Sequence, residues 1–107
     1  EELPTVKKIG QQIPIGEAHA EFVGMMMLTD VGARKLLEIY QRALETGAGK
    51  RFHEAADPKR AALTDLVQAL VEAKDAGLEV KAVETFKGWM EIDTFEDYRR
   101  AWAEIRT

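Results

Sequence analysis

Ala33, Leu36, Leu37, Tyr40, Ala43 and Leu44 recur at the three- and four-residue spacing of one helix face. The helix they predict follows Thr29, which has N-cap chemistry, and runs to about Glu45, with Gly47 as its stop. Leu63, Leu66, Val67, Leu70 and Val71 predict a second helix, roughly Leu63 to Ala76, ended by Gly77. Tyr98, Ala101, Trp102 and Ile105 mark a third, Phe95 to Arg106. Thr94 stands at its N-cap, and Asp97 three residues later completes a capping-box pattern.

Other stretches carry the shorter period of strands. Val6 to Ile9 and Gln12 to Ile15 are brief and separated by Gly10. Ala20 to Leu28, AEFVGMMML, begins with alternation and turns apolar on both faces after Gly24, the pattern of an interior strand in a covered sheet. Met25, Met26 and Met27 are read accordingly as core. Leu78 to Glu84, LEVKAVE, alternates, and after the Lys87-Gly88 turn WMEI forms a last short strand. The segment between the first two helices, Gly47 to Arg60, mixes Gly, Pro and charge and reads as a loop with His53 solvated. The order β-β-β-α-α-β-β-α predicts an α/β layered architecture, with no internal repeat and no domain boundary.

Composition narrows the picture. A chain of 107 residues is one small domain with limited capacity to bury surface, so its stability is expected to depend on a partner or on further sequence. The net charge of −4 argues against nonspecific nucleic-acid binding. Without cysteine there are no disulfides and no thiolate zinc sites. The longest apolar run, Phe22 to Leu28, is too short for a membrane span, and no signal peptide is visible, so a cytoplasmic location is expected. The start at Glu1 is compatible with a fragment or a processed product.

Candidate chemistry concentrates where the last strand meets the last helix. Asp93 stands at the carboxyl end of that strand, where open α/β sheets bind ligands, beside the amide groups of the helix that follows. An ionised carboxylate there suits a hard cation such as Mg²⁺, and Glu91 shares its strand face. On spacing alone, Asp93-Thr94 reads first as capping chemistry and Glu91 as a solvent-exposed residue. His19 and Glu21 share a face without a third ligand, weak grounds for a metal. Lys50, Arg51, Lys59 and Arg60 sit in the polar loop, within which Gly47-Ala48-Gly49-Lys50 lacks the strand context of a phosphate-binding loop.

GWMEIDTFEDYRRA, residues 88–101, resembles the closing segment of nucleotidyltransferases that activate sugar phosphates, phosphocholine and aminoalkyl phosphonates. Upstream, AEFVGMMMLTDVGARKL resembles that family's Gly-Glu-aromatic-aliphatic-Gly strand and following helix, with Ala20 where the family often has glycine. ALTDLVQALVEAKDAGLEVKAVETFKGW resembles the next helix, strand and turn, so the likeness covers the chain from about Val6 onward. Its flavour is that of the cytidylyltransferase-like domains found with phosphoenolpyruvate phosphomutases. The resemblance implies the C-terminal half of a Rossmann-like fold, a mixed sheet with packed helices. It implies Asp93 as a ligand to catalytic Mg²⁺, and Glu21, Trp89 and Glu91 as residues of the acceptor pocket, Glu21 facing a cationic amine or a sugar hydroxyl. Read from the residues alone, Trp89 is a core aromatic and Glu21 a strand-end surface residue. The family's glycine-rich phosphate loop and its other metal-binding aspartate have no counterpart here. The expected partners are therefore a nucleoside triphosphate, CTP by preference, a phosphate- or phosphonate-bearing acceptor, and a nucleotide-binding half lying upstream or on another chain. The competing expectation is a noncatalytic α/β assembly module, whose open apolar surfaces a homodimer would cover.

Overall fold

The computed structural model describes residues 2–47, 49–73, 77–86 and 90–106, the side chains of Ile105 and Arg106 excepted. Its regular elements are helices α1 (Asp30–Thr46), α2 (Leu63–Glu72) and α3 (Phe95–Arg106), with 3₁₀ turns at Ile15–Glu17 and Pro58–Arg60. Each helix begins where capping chemistry allows. The Thr29 hydroxyl accepts from the Gly32 N–H at 3.0 Å and opens α1, and the Gly47 N–H closes it on the Ala43 carbonyl at 2.8 Å. At the start of α3, the Thr94 hydroxyl accepts from the Asp97 N–H at 3.0 Å while the Asp97 carboxylate accepts from the Thr94 N–H at 3.2 Å, the reciprocal pair expected from the sequence. Ala62 precedes α2 and has no side-chain acceptor to offer. Asp65 reaches back instead, taking the Ala62 N–H at 2.8 Å and the Glu54 N–H at 2.9 Å.

The packed part of the molecule joins α1, α2 and the segment between them. Ala55, Pro58, Val67, Ala69 and Leu70 are buried there. Tyr40 of α1 donates its hydroxyl to the Pro58 carbonyl at 2.9 Å and sets its ring against Phe52, whose ring meets His53 edge-on at 4.6 Å. The segment expected to be a solvated loop is therefore built inward, and His53 is half-buried in a left-handed conformation at φ 54°. Residues 4–12 cross this unit as a strap. The Ile9 N–H donates to Gln68 of α2, the Gln11 and Gln12 N–H groups donate to Glu54, and Val6 and Pro4 bond the backbone of Val80 and Ala82.

The expected mixed α/β sheet does not form. Among the described residues the β pairing amounts to isolated bridges, Thr5 with Lys81 and Phe52 with Ala55, so the Rossmann-like, sheet-plus-helices reading is overturned. A strand is stable only when neighbours take up its backbone hydrogen bonds and one face is buried. Residues 20–28 find neither. Gly24, at φ +90°, breaks their extended course, and Met25 and Met27 stand 80% and 96% exposed rather than in a core. Val83 and Phe86 are exposed likewise. Among the described residues, only the pairing of 4–6 with 80–82 survives from the strand-like segments. The absence of a sheet also removes the strand-edge setting expected for Asp93.

Candidate functional site

Carboxylates from two stretches far apart in sequence, Glu21 and the run from Glu91 to Asp97, act on one another near the start of α3. Glu91 lies next to Asp93, whose negative charge is the main reason its carboxyl holds its proton above the ordinary glutamate range. Partial desolvation, the charge of Glu21 and a carboxyl–carboxyl hydrogen bond to Asp93 push in the same direction, with a further contribution from Asp97. Glu21 from the 20–28 segment thus acts electrostatically on Glu91. Trp89 lies outside the described residues.

The four carboxylates do not play equal parts. Asp97 is occupied by the backbone: its carboxylate accepts from the N–H groups of Asp93 and Thr94 at 3.1 and 3.2 Å, and it also meets the Arg100 guanidinium. The Asp93 N–H bond leads the causes that hold the Asp97 carboxyl below the usual aspartate range. Asp93 is not the side-chain cap, since Thr94 and Asp97 provide that chemistry. Its carboxylate is exposed, as are those of Glu21 and Glu91. They lie on open surface. The hollow closest to them in sequence, lined by Ile92, Tyr98, Ala101 and Trp102, includes none of them.

A magnesium ion usually takes one or two carboxylates and completes its shell with phosphates and waters. The Glu91–Asp93 pair fits that donor set. It does not fit an all-protein cage: among the described residues no group of three or more His, Cys, Asp or Glu side chains is arranged to hold a metal ion. His19, exposed near Glu21 in sequence, belongs to no such group.

The basic residues of the inter-helix segment stay apart from this cluster in role. Arg51 donates to the His53 carbonyl at 2.9 Å. Lys59 lies beside Asp57, whose carboxylate accepts from the Lys59 and Gly49 N–H groups at 2.8 Å each and is held below the aspartate range by those bonds, the Lys59 one foremost. The sequence reading missed Glu54 and Asp65, the acidic groups that organise this segment. Asp65 had a legible signal: an acidic residue at the third position of a helix whose N-cap position holds alanine.

No family model matches the chain, and neither a curated protein nor a solved structure is similar to it at a level that carries an argument.

Proposed function

We propose that this chain supplies the acceptor- and metal-binding carboxylates of an enzyme that transfers a nucleotidyl group from a nucleoside triphosphate, CTP by preference, to a phosphate- or phosphonate-bearing acceptor. The observation that carries the reading is the approach of Glu21 to the Glu91–Asp93 pair, residues which the motif resemblance names together and which lie far apart in sequence. In the reaction an acceptor oxygen attacks the α-phosphorus and pyrophosphate leaves, with no covalent enzyme intermediate. Asp93, which is exposed, would hold a triphosphate-borne Mg²⁺. Glu91 would add a second oxygen donor once it has lost its proton. Glu21 offers its negative charge to a cationic amine or a hydroxyl on the acceptor. The chemistry Mg²⁺ supplies when bound is neutralisation of charge growing on the phosphoryl oxygens.

Phosphate-binding groups come, in this reading, from a nucleotide-binding unit on the same polypeptide or another chain, and the 107-residue chain alone is inactive. The test is Mg²⁺-dependent pyrophosphate release by the chain joined to that unit, assayed with CTP, UTP, GTP and ATP against phosphonate, phosphocholine and sugar-phosphate acceptors. Asp93→Asn is expected to lower turnover roughly 100-fold or more, the scale of losing a group that stabilises transition-state charge, with the helical circular dichroism unchanged. Turnover near normal in that variant removes Asp93 from the site. A noncatalytic assembly module is the second reading. The specific observation favouring it is the exposure of Ile15, Met25, Met27, Val83 and Phe86.

A further inference from the structure

Two apolar surfaces of this chain are left open at once. On the packed unit, Ala33, Leu36, Leu37, Tyr40 and Leu66 line a hollow of about 380 Å³ between α1 and α2. On α3, Tyr98 and Trp102 are half exposed, at 47% and 49%, in a stripe with buried Ala101. Among the described residues α3 packs against neither α1 nor α2. The tether leading to it is stitched at 80–82 to residues 4–6, on the strap side of the molecule.

The surface area states how much cover is missing. A folded monomer of 12.0 kDa exposes about 6,000 Å², whereas this chain exposes 8887 Å², an excess of about 2,900 Å². Obligate homodimers bury about 1,000–2,500 Å² per chain, so an interface of that class removes from about a third to most of the excess. From these observations we propose that the chain forms a reciprocal homodimer in which α3 of each copy seats Tyr98 and Trp102 in the α1–α2 hollow of the other. Each copy carries both halves of the contact, so one two-fold axis closes both seams and leaves no open site for further growth. The charges elsewhere on the two helices are paired within them, Asp30–Arg34 and Glu38–Arg42 on α1 and Glu96–Arg99 and Asp97–Arg100 on α3. The proposal is independent of the catalytic reading: Glu21, Glu91 and Asp93 lie on neither face.

Sedimentation equilibrium of the 107-residue chain is the primary test. The expected mass is twice 12.0 kDa. Leu37→Glu and Trp102→Glu are each expected to weaken the dimer by about 30-fold or more, the scale of a buried anchor, with the helical signal retained. An equimolar mixture of the two variants recovers one intact seam and associates more strongly than either alone. Because the chain contains no cysteine, a second arm avoids charge substitutions altogether. Leu37→Cys chains mixed with Trp102→Cys chains are expected to yield disulfide-linked heterodimers in preference to either homodimer. A wild-type mass of 12.0 kDa at every concentration overturns the proposal. So does a dimer unaffected by both glutamate variants, or cross-linking that favours homodimers.

Discussion

A side chain at Gly10 would displace Glu54. A Cβ built there meets the Glu54 carboxylate oxygen at 2.4 Å, and that carboxylate is fixed by the Gln11 and Gln12 N–H groups at 2.7 and 3.0 Å. Gly10→Ala must therefore loosen the strap where it crosses the packed unit. The expected loss is about 1–2 kcal/mol, measured as a lower denaturation midpoint. Asp65 is the costlier position. It is buried and satisfies two backbone N–H groups, so Asp65→Ala leaves both without their partner, at a cost of about 2–3 kcal/mol in urea unfolding. Thr64 beside it gives the opposite result. Its buried hydroxyl has no hydrogen-bond partner, and Thr64→Val, which removes that group at constant shape, is expected to stabilise the chain by about 1 kcal/mol in the same assay. An unchanged or lower midpoint for Thr64→Val contradicts this account. None of these polar roles shows in hydrophobic spacing, because each depends on which backbone groups the fold happens to bring within reach.

The helices were legible because their signals are local. Thr29, Thr94 with Asp97, and the three- and four-residue spacing of apolar positions act within a turn or two of chain, and α1 and α3 appear with the expected caps. The strands were not, because a β segment is specified by partners elsewhere, and LEVKAVE and AEFVGMMML alternate whether or not a neighbour exists. The same contrast governs the site. Resemblance of motifs pointed to Glu21, Trp89, Glu91 and Asp93; Trp89 lies outside the described residues, and the three carboxylates stand on open surface without the sheet edge that was to frame them. The cap of α3 has a pH signature opposite to that of the neighbouring pair. Asp97 is more acidic folded than unfolded, so its contribution is present above the ordinary aspartate range and is lost as pH falls through its lowered value. Glu91 is less acidic folded, so its proton favours the fold below the ordinary glutamate range, and that contribution is lost as pH rises through its raised value. With chelator present to remove metal, Glu91→Gln is expected to raise the melting temperature at neutral pH and to match the wild type in acid. A constant difference across pH removes the Asp93 repulsion as its cause.

At the scale of the whole molecule, the radius of gyration of 16.4 Å stands against about 13 Å for a chain of this length gathered around one core. The discrepancy has a definite origin: among the described residues burial is concentrated in residues 55–70, with Gly32 and Ala101 buried outside that span. Unfolding such a chain releases less surface than its length implies, and the denaturant slope scales with released surface. At dilutions where the chain is monomeric, its urea m-value is expected to fall below that of compact single domains of equal length. Amide exchange should divide along the same line, slow in α1 and α2 and approaching the unprotected rate in 20–28, where the described backbone makes no ladder. Concentration then separates the two covers argued above. If self-association through α3 is the principal one, raising the concentration slows exchange in α3 and steepens the m-value while 20–28 stays fast. Protection of 20–28 requires something the 107-residue chain does not bring, and its appearance on joining a nucleotide-binding unit, without added dimer, is the result that ties the exposed methionines to that unit. Slow exchange in 20–28 of the isolated monomer contradicts both.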